Sequence, residues 1–464
     1  MTDVPVWGKY GRRPLVILAL VAMVDAVDRQ ILPGVLTKVQ EDLGFSDFQA
    51  GLLGGAPILA GFLVALPAGY LADRYRRTRI IAIVLASWGV ISACNAIVRG
   101  FGEFLAVRTV LGIGETVDNP ASASLIADYY PVNLRGRAYA YQRVAPTLGA
   151  AFGLALGGTV GQLLGWRWAF LIVGAPGSLL AIAVWRLREP TRGEHDALVE
   201  PELLVLSTTR PEREAASAEE PAPGAAQQRG LRAMAHDVRL AFRIRTLRSL
   251  MIGTAIATGA LSGIGFWAPA FLERHGGLSG GAAAGLVGGL ILVGAIFGTI
   301  IGGRYTDRLR DRYAGAPMLV AGVTQAIGAL VLLPVFADVP LGVRIILSLI
   351  GVMFIVAGFP ALAAMVAEVV PATIRGLAFS ISGFLSALTA ALSPLLIGAI
   401  SDQFEYVYKG KTVGNLAYAF AIVIPLVFVG SVVLLRGRRF VGDDVARAAE
   451  VAREITRSYE QREI

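Results

Sequence analysis

Two long apolar stretches of this chain carry charges that hydrocarbon does not tolerate. The stretch LVILALVAMVDAVDRQILPGVL, residues 15–36, holds Asp25, Asp28 and Arg29, and the stretch FLAVRTVLGIGETV holds Arg108 and Glu115. The first is long enough to cross a bilayer as a helix. A charge at membrane depth is costly and normally faces a protein interior or a water-filled cavity. Asp25 and Asp28 are three residues apart, Arg108 and Glu115 seven, so each pair shares one helix face. Arg29 follows Asp28 directly and can pair with it or with a neighbouring helix. Guanidinium forks bind phosphate or carboxylate in bidentate fashion. A carboxylate can exchange a proton if its surroundings change. Asp28, Arg29, Arg108 and Glu115 therefore read as one buried polar centre. The competing reading is an ion-pair network that only holds helices together, and function is the reading taken for intramembrane carboxylates.

The chain around these charges has to be a membrane protein. Of its 464 residues 55% are hydrophobic and 16% charged, and the mean hydropathy is +0.63. A soluble domain with so few charges could not cover that much apolar surface. The one cysteine, Cys94, lies in an apolar run, which excludes a disulfide framework. The three histidines, His195, His236 and His275, are not spaced as metal ligands, so neither a metal nor a cofactor is expected. The net charge of +8 is read as loop arginine of a membrane protein and not as a nucleic-acid surface. The 55 glycines fit close helix packing.

Six apolar stretches, near 15–36, 48–72, 78–99, 102–125, 137–163 and 168–187, precede a polar segment, and six follow it, near 248–272, 281–303, 315–336, 341–367, 374–400 and 414–435. The prediction is an all-α membrane protein of twelve transmembrane helices in two pseudo-symmetric six-helix bundles. Residues 1–188 form the first bundle, 189–245 a cytoplasmic linker, 246–436 the second bundle and 437–464 a cytoplasmic tail. The linker is rich in Pro, Ala and Glu around PEREAASAEEPAPGAAQQRG, and ends in a stretch with apolar residues at helical spacing between arginines, read as a basic amphipathic helix on the membrane surface. The first span lacks a cleavage site and is expected to stay as an anchor. Arginines cluster in one set of loops, at 74–79, 135–137, 304–312, 375 and 436–439, whereas the opposite loops are acidic or mixed. The positive-inside rule puts both termini in the cytoplasm.

The halves repeat each other. GYLADRYRR after the second span (Gly69, Asp73, Arg74, Arg77) matches GGRYTDRLR after the eighth (Gly303, Asp307, Arg308). DYYPVNLRG (Asp128, Arg135) matches EVVPATIRG (Glu368, Arg375). These residues lie at the inner surface and are read as a latch that holds the halves together there and breaks when they rock. A duplicated bundle of this kind is the architecture of an alternating-access transporter with its substrate site between the halves.

The GYLADR loop, the run Arg108, Gly112, Gly114 in the fourth span and Trp166-Arg167-Trp168 at the sixth together resemble the major facilitator superfamily, in both halves. Within it the strings VDRQILPGVL, EDLGFSDFQAGLL, VRTVLGIGET and FWAPAFLERHGGLSGG resemble the spinster family. That resemblance implies a proton-coupled carrier of lysophospholipids or sphingoid phosphates. It also implies an Asp–Arg pair in the first span and an Arg–Glu pair in the fourth, here Asp28, Arg29, Arg108 and Glu115. Two features depart from the pattern: Asp25 is an additional acid, and GAAFGLALGG in the fifth span has Leu154 where the antiporter motif has Gly-Pro.

The charge asymmetry between the halves suggests the substrate's shape. The second half offers Phe266, Trp267, Phe271, Ser380, Phe384 and Thr389 where the first offers Arg29 and Arg108. A cavity with one charged and one apolar wall suits an anionic amphiphile, although an apolar face that merely packs on lipid or helix would read the same. Asp28 is expected to carry the coupling proton first, Glu115 second, with Asp25 as a helper. The chain is thus expected to be a monomeric, multi-pass transporter of the inner membrane, in contact with membrane lipids, a small amphipathic substrate and protons. An exporter of drug-like or small organic anions is the alternative substrate class. A membrane-embedded lipid enzyme is a different class, and it would need a nucleophile–base or metal constellation that the sequence does not offer.

Overall fold

The computed structural model describes residues 7, 9–191, 238–310, 312–370, 375–447 and 450, and within them the side chains of all but 65–74, 116–120, 132–133, 363–364, 367 and 375–376. Most of the segment between the halves, the end of the tail and the side chains of Gly69, Asp73, Arg74 and Arg375 lie outside the described residues.

The described residues are helical almost throughout. The first half consists of α1 (Arg13–Leu43), α2 (Asp47–Arg74), α3 (Arg77–Cys94), α4 (Phe101–Tyr129), α5 (Val132–Leu163) and α6 (Trp166–Trp185). The second consists of α7 (Arg245–Gly276), α8 (Gly280–Arg310), α9 (Ala316–Leu332), α10 (Leu341–Ala357), α11 (Phe359–Val369), α12 (Arg375–Ser401) and α13 (Leu416–Gly437). With α10 and α11 counted as one, they make the twelve expected spans. Ten of these spans have apolar windows sufficient for a membrane by composition alone. The two that do not, among the described residues, are α1 and α4, the helices that carry Asp25, Asp28, Arg29, Arg108 and Glu115. At 31 and 29 residues both are still long enough to cross.

The tenth span, expected as one stretch over 341–367, is broken. Helix α10 stops at Ala357, and α11 restarts at Phe359. Pro360 has no N–H to give the preceding turn. Gly358 lies so close to α9 that a Cβ there would meet the Ala321 backbone at 2.7 Å. The ninth span ends in a 3-10 turn, Leu333–Phe336, which carries it to the end of the expected stretch.

Helix α1 is seated on α5 by glycine. Gly149, Gly153 and Gly157 recur every four residues, and Cβ atoms there would meet the carbonyl oxygens of Met23, Val27 and Ile31 at 2.3, 2.5 and 3.0 Å. With no side chains between them the two backbones touch. The face of α1 bearing Asp25, Asp28 and Arg29 is thereby fixed in rotation. Leu154, where the antiporter motif has Gly-Pro, is fully buried beside this stripe. Helix α4 is fixed the same way against α2, because a Cβ at Gly112 would meet Pro57 O at 2.0 Å.

The halves meet toward the end opposite the termini, called here the far end. Cβ atoms at Gly51 and Gly55 of α2 would meet Pro394 O and Ala391 O of α12 at 2.3 and 2.2 Å. On the other flank Gly288 of α8 abuts Ala151 O of α5. A two-stranded hairpin, β1 (Glu405–Tyr408) and β2 (Lys411–Gly414), lies over this end, and Lys409 at its tip reaches Glu41 of α1 at 3.4 Å. At the terminal end, carboxylates beyond the last span of each half cap helix starts. Asp444 accepts from Thr246 N of α7. Glu189 accepts from the backbone N–H groups of Arg77 and Thr78 and from the Thr78 hydroxyl. Burial alone would raise the Glu189 carboxyl, but the hydrogen bonds from Thr78 and Arg77 outweigh it and hold it below the usual range.

Replacing Gly55 with Leu is expected to force the far end apart, since the carbonyl it faces belongs to a helix backbone and cannot yield. Spin labels at positions 43 and 404 in a Cys94→Ser background should move to longer distances. An unchanged distance distribution would mean that the backbone contact does not govern closure.

Candidate functional site

The charges of α1 and α4 converge, but not in the pairs that sequence adjacency suggests. Arg29 turns toward Asp25 and Glu115, with Nη2 3.0 Å from Asp25 Oδ2 and Nε 3.2 Å from Glu115 Oε2. Asp28 turns the other way. It is fully buried, accepts a 2.5 Å hydrogen bond from Ser92 Oγ of α3 and lies 3.8 Å from Arg108 Nη1. Neighbouring residues on a helix point about 100° apart, which is why Asp28 and Arg29 serve different partners. The result is two arginine–acid units side by side, Arg29 with Asp25 and Glu115, and Arg108 with Asp28. Among the described residues Arg108 Nε and Nη1 and Glu115 Oε1 are buried without a hydrogen-bond partner.

Arg29, Arg108 and Glu115 line a cavity of about 530 Å³ between the halves. Its other wall is α7, α8 and α12, with Leu261, Phe266 and Ile291 apolar and Thr258 and Ser262 weakly polar. The expected division into a charged and a mostly apolar wall is present. Of the residues expected on the apolar wall, Phe266 lines the cavity. Trp267 does not: it is fully buried, and its indole N–H donates to Pro394 O at 3.0 Å, fastening α7 to α12. Thr389 is also taken up in packing. Its hydroxyl donates to Ala255 O at 2.6 Å, and it fills the space over Gly259. Phe384 stands outside the lining, its ring 4.8 Å from that of Phe62 on the opposite half.

The described contacts of the residues expected at the inner surface lie within each half. Arg77 binds Asp128 at 2.5 Å and Glu189 at 3.0 Å. Arg135 donates to the carbonyls of Ala127 and Tyr130, closing the turn between α4 and α5. Arg310 pairs with Glu368 between α8 and α11. Gly303 is partly buried, and Asp307 and Arg308 are exposed. The described polar contacts that join the halves lie at the far end instead.

That far-end lock was not legible as a pair. Arg274 of α7 grips Asp47 of α2 with both terminal nitrogens at 2.9 Å, and both side chains are 2% exposed. Gln40 bridges the two, donating to Asp47 at 2.9 Å and accepting from Arg274 at 2.8 Å. Ser401 donates to Asp47 at 2.7 Å. Asp402 of the second half accepts from Asp47 N and Phe48 N, and so caps α2 of the first half. The sequence signals were modest: an acid at a helix start and an arginine in a last helical turn.

Comparisons with known proteins bear on the family and the fold. The family model of the Major Facilitator Superfamily matches residues 18–359. Protein spinster homolog 1 of Xenopus tropicalis is 27% identical, covering 94% of this chain and 82% of its own length. A sphingosine-1-phosphate transporter of Danio rerio is 25% identical over 96% of this chain and 88% of its own. A probable L-galactonate transporter of Escherichia coli is 26% identical over 64% and 61%. In structure the chain is similar to a bacterial homolog of the human lysosomal transporter spinster in an inward-facing, unoccupied conformation, with a TM-score of 0.74, 23% identity and coverage of 96% of this chain and 99% of that one.

A double-mutant cycle tests the lock. Asp47→Asn and Arg274→Gln are each expected to cost about 3 kcal/mol of stability in detergent, because each leaves a buried charge unpaired. The double variant should lose little more than either single one. Additive losses would mean that the two residues act separately.

Proposed function

The chain belongs to the Major Facilitator Superfamily, and on that premise we propose that this secondary transporter moves an anionic, single-chain amphiphile of the lysophospholipid or sphingoid-phosphate type, coupled to protons. The observation that carries the reading is the cavity wall. Two guanidinium groups line it, and Arg108 Nε and Nη1 have no hydrogen-bond partner among the described residues. The opposite wall is mostly apolar. A headgroup phosphate belongs on the first wall and a hydrocarbon chain along the second. The similarity to a sphingosine-1-phosphate transporter supports the same substrate chemistry.

Coupling follows from competition. A substrate phosphate that engages Arg29 draws it from Glu115, and a carboxylate left without its cation in a desolvated site takes up a proton. Release of the substrate restores the ion pair and expels the proton. Glu115 therefore carries this exchange most directly, since it faces the cavity beside Arg29. Asp28 does the same through Arg108, and Asp25 keeps a carboxylate on Arg29 throughout. Substrate and proton are linked without a separate relay.

The orientation is part of the proposal. The terminal end carries Arg76, Arg79, Arg137, Arg304 and Arg312, and the far end carries Glu41, Asp42, Glu103 and Asp402. The positive-inside rule makes the terminal end cytoplasmic. The protein would then be a multi-pass monomer of the inner membrane, closed by Asp47 and Arg274 on the outside.

The test is flux of lysophosphatidylglycerol in proteoliposomes under an imposed pH gradient. The intact protein should move the lipid in a gradient-dependent way. Arg29→Ala should lose about ten-fold or more of the apparent affinity, and Arg29→Lys should lose less, because it keeps the charge without the fork. Gradient-independent movement, or equal flux in all three proteins, would contradict the proposal.

A further inference from the structure

A second space continues the cavity into the second half. It measures about 180 Å³ and is lined by Phe271, Leu332, Phe336 and Phe420 among other apolar side chains, with Ser348 as its polar exception. It abuts the charged cavity at residues that line both spaces: Leu261 and Gly265 on α7 and Ile291 on α8. Leu261 and Gly265 are four apart and share a face of α7.

Gly265 differs from the other glycines of its helix. A Cβ at Gly259 or Gly263 would collide with Thr389 or Ser393 of α12, so those two make room for a neighbouring helix. A Cβ at Gly265 would meet nothing within 4 Å. A glycine inside a helix costs stability relative to alanine, and here no close packing offsets it. What the missing side chain does leave is open space at the junction between the charged cavity and the apolar one.

We infer that Gly265 is the aperture through which the substrate's acyl chain passes from the charged cavity into the second half, and that it sets the chain length the protein accepts. This rests on the reading of the substrate as an anionic amphiphile. With the headgroup held at Arg29 and Arg108, each further methylene that passes Gly265 enters apolar surroundings, which strengthens binding from water by up to about four-fold. A side chain at position 265 takes that space from the tail and leaves the headgroup contacts untouched.

The experiment compares a short-chain and a long-chain lysophosphatidylglycerol in proteoliposomes holding the full-length protein. The intact protein should prefer the long chain. Gly265→Leu, and Ile291→Phe from the facing helix, should each weaken the long-chain lipid about ten-fold or more relative to the short-chain lipid. Gly265→Ala should fall between. If both narrowing variants keep the original preference, or lose both lipids equally, Gly265 is no chain selector. If the intact protein carries neither lipid, the amphiphile reading itself falls, and the inference falls with it.

Discussion

Arg29 is a guanidinium at membrane depth, and the rest of the structure is arranged so that it can stay charged there. It has Asp25 one turn away on its own helix and Glu115 across on α4. A buried ion pair gains little net stability, but breaking one by removal of a partner is costly. On the proposed reading, that asymmetry makes the pair a device and not merely a strut. Any anion that takes Arg29 must leave Glu115 to be neutralised in another way, and a proton is the available means. The glycine contacts of α1 with α5 and of α4 with α2 hold the two helices at the rotation in which this trade is possible.

The two halves divide the work unequally. The first carries the charge centre. The second carries the apolar wall and, in α7, both the partner of the far-end lock and the junction between the two cavities. Closure at the far end combines backbone contact at Gly51 and Gly55 with one buried bidentate pair, Asp47 and Arg274, and a helix cap donated across the interface by Asp402. Contacts of this kind exist in full or not at all, which suits a two-state seam. The described inner-surface pairs, Arg77 with Asp128 and Arg310 with Glu368, instead stiffen single halves.

The sequence carried a great deal of this. Charges in spans one and four, the duplicated loop motifs and the even division of apolar stretches were enough for the fold and for the location of the polar centre. What it could not carry was direction. Asp28 and Arg29 are adjacent, yet the helix sends them to different partners. Phe266 and Trp267 are adjacent, yet one faces the cavity and the other is core. Thr389 looked like a cavity group and is packing. The lock was hidden for a different reason: Asp47 and Arg274 are 227 residues apart, and each alone resembles an ordinary charge at a helix end. The break at Gly358 could be suspected from Pro360, but its position depends on how closely α9 approaches.

The most direct measurement of the central claim is proton uptake on binding. Anionic lysophosphatidylglycerol would be added to the purified protein in weakly buffered detergent near neutral pH, with the proton change read by a pH indicator. Competition for Arg29 predicts net uptake approaching one proton per lipid bound, and a clear reduction of that uptake in Glu115→Gln with lipid binding retained. Binding of the lipid by the intact protein with no proton taken up would contradict it.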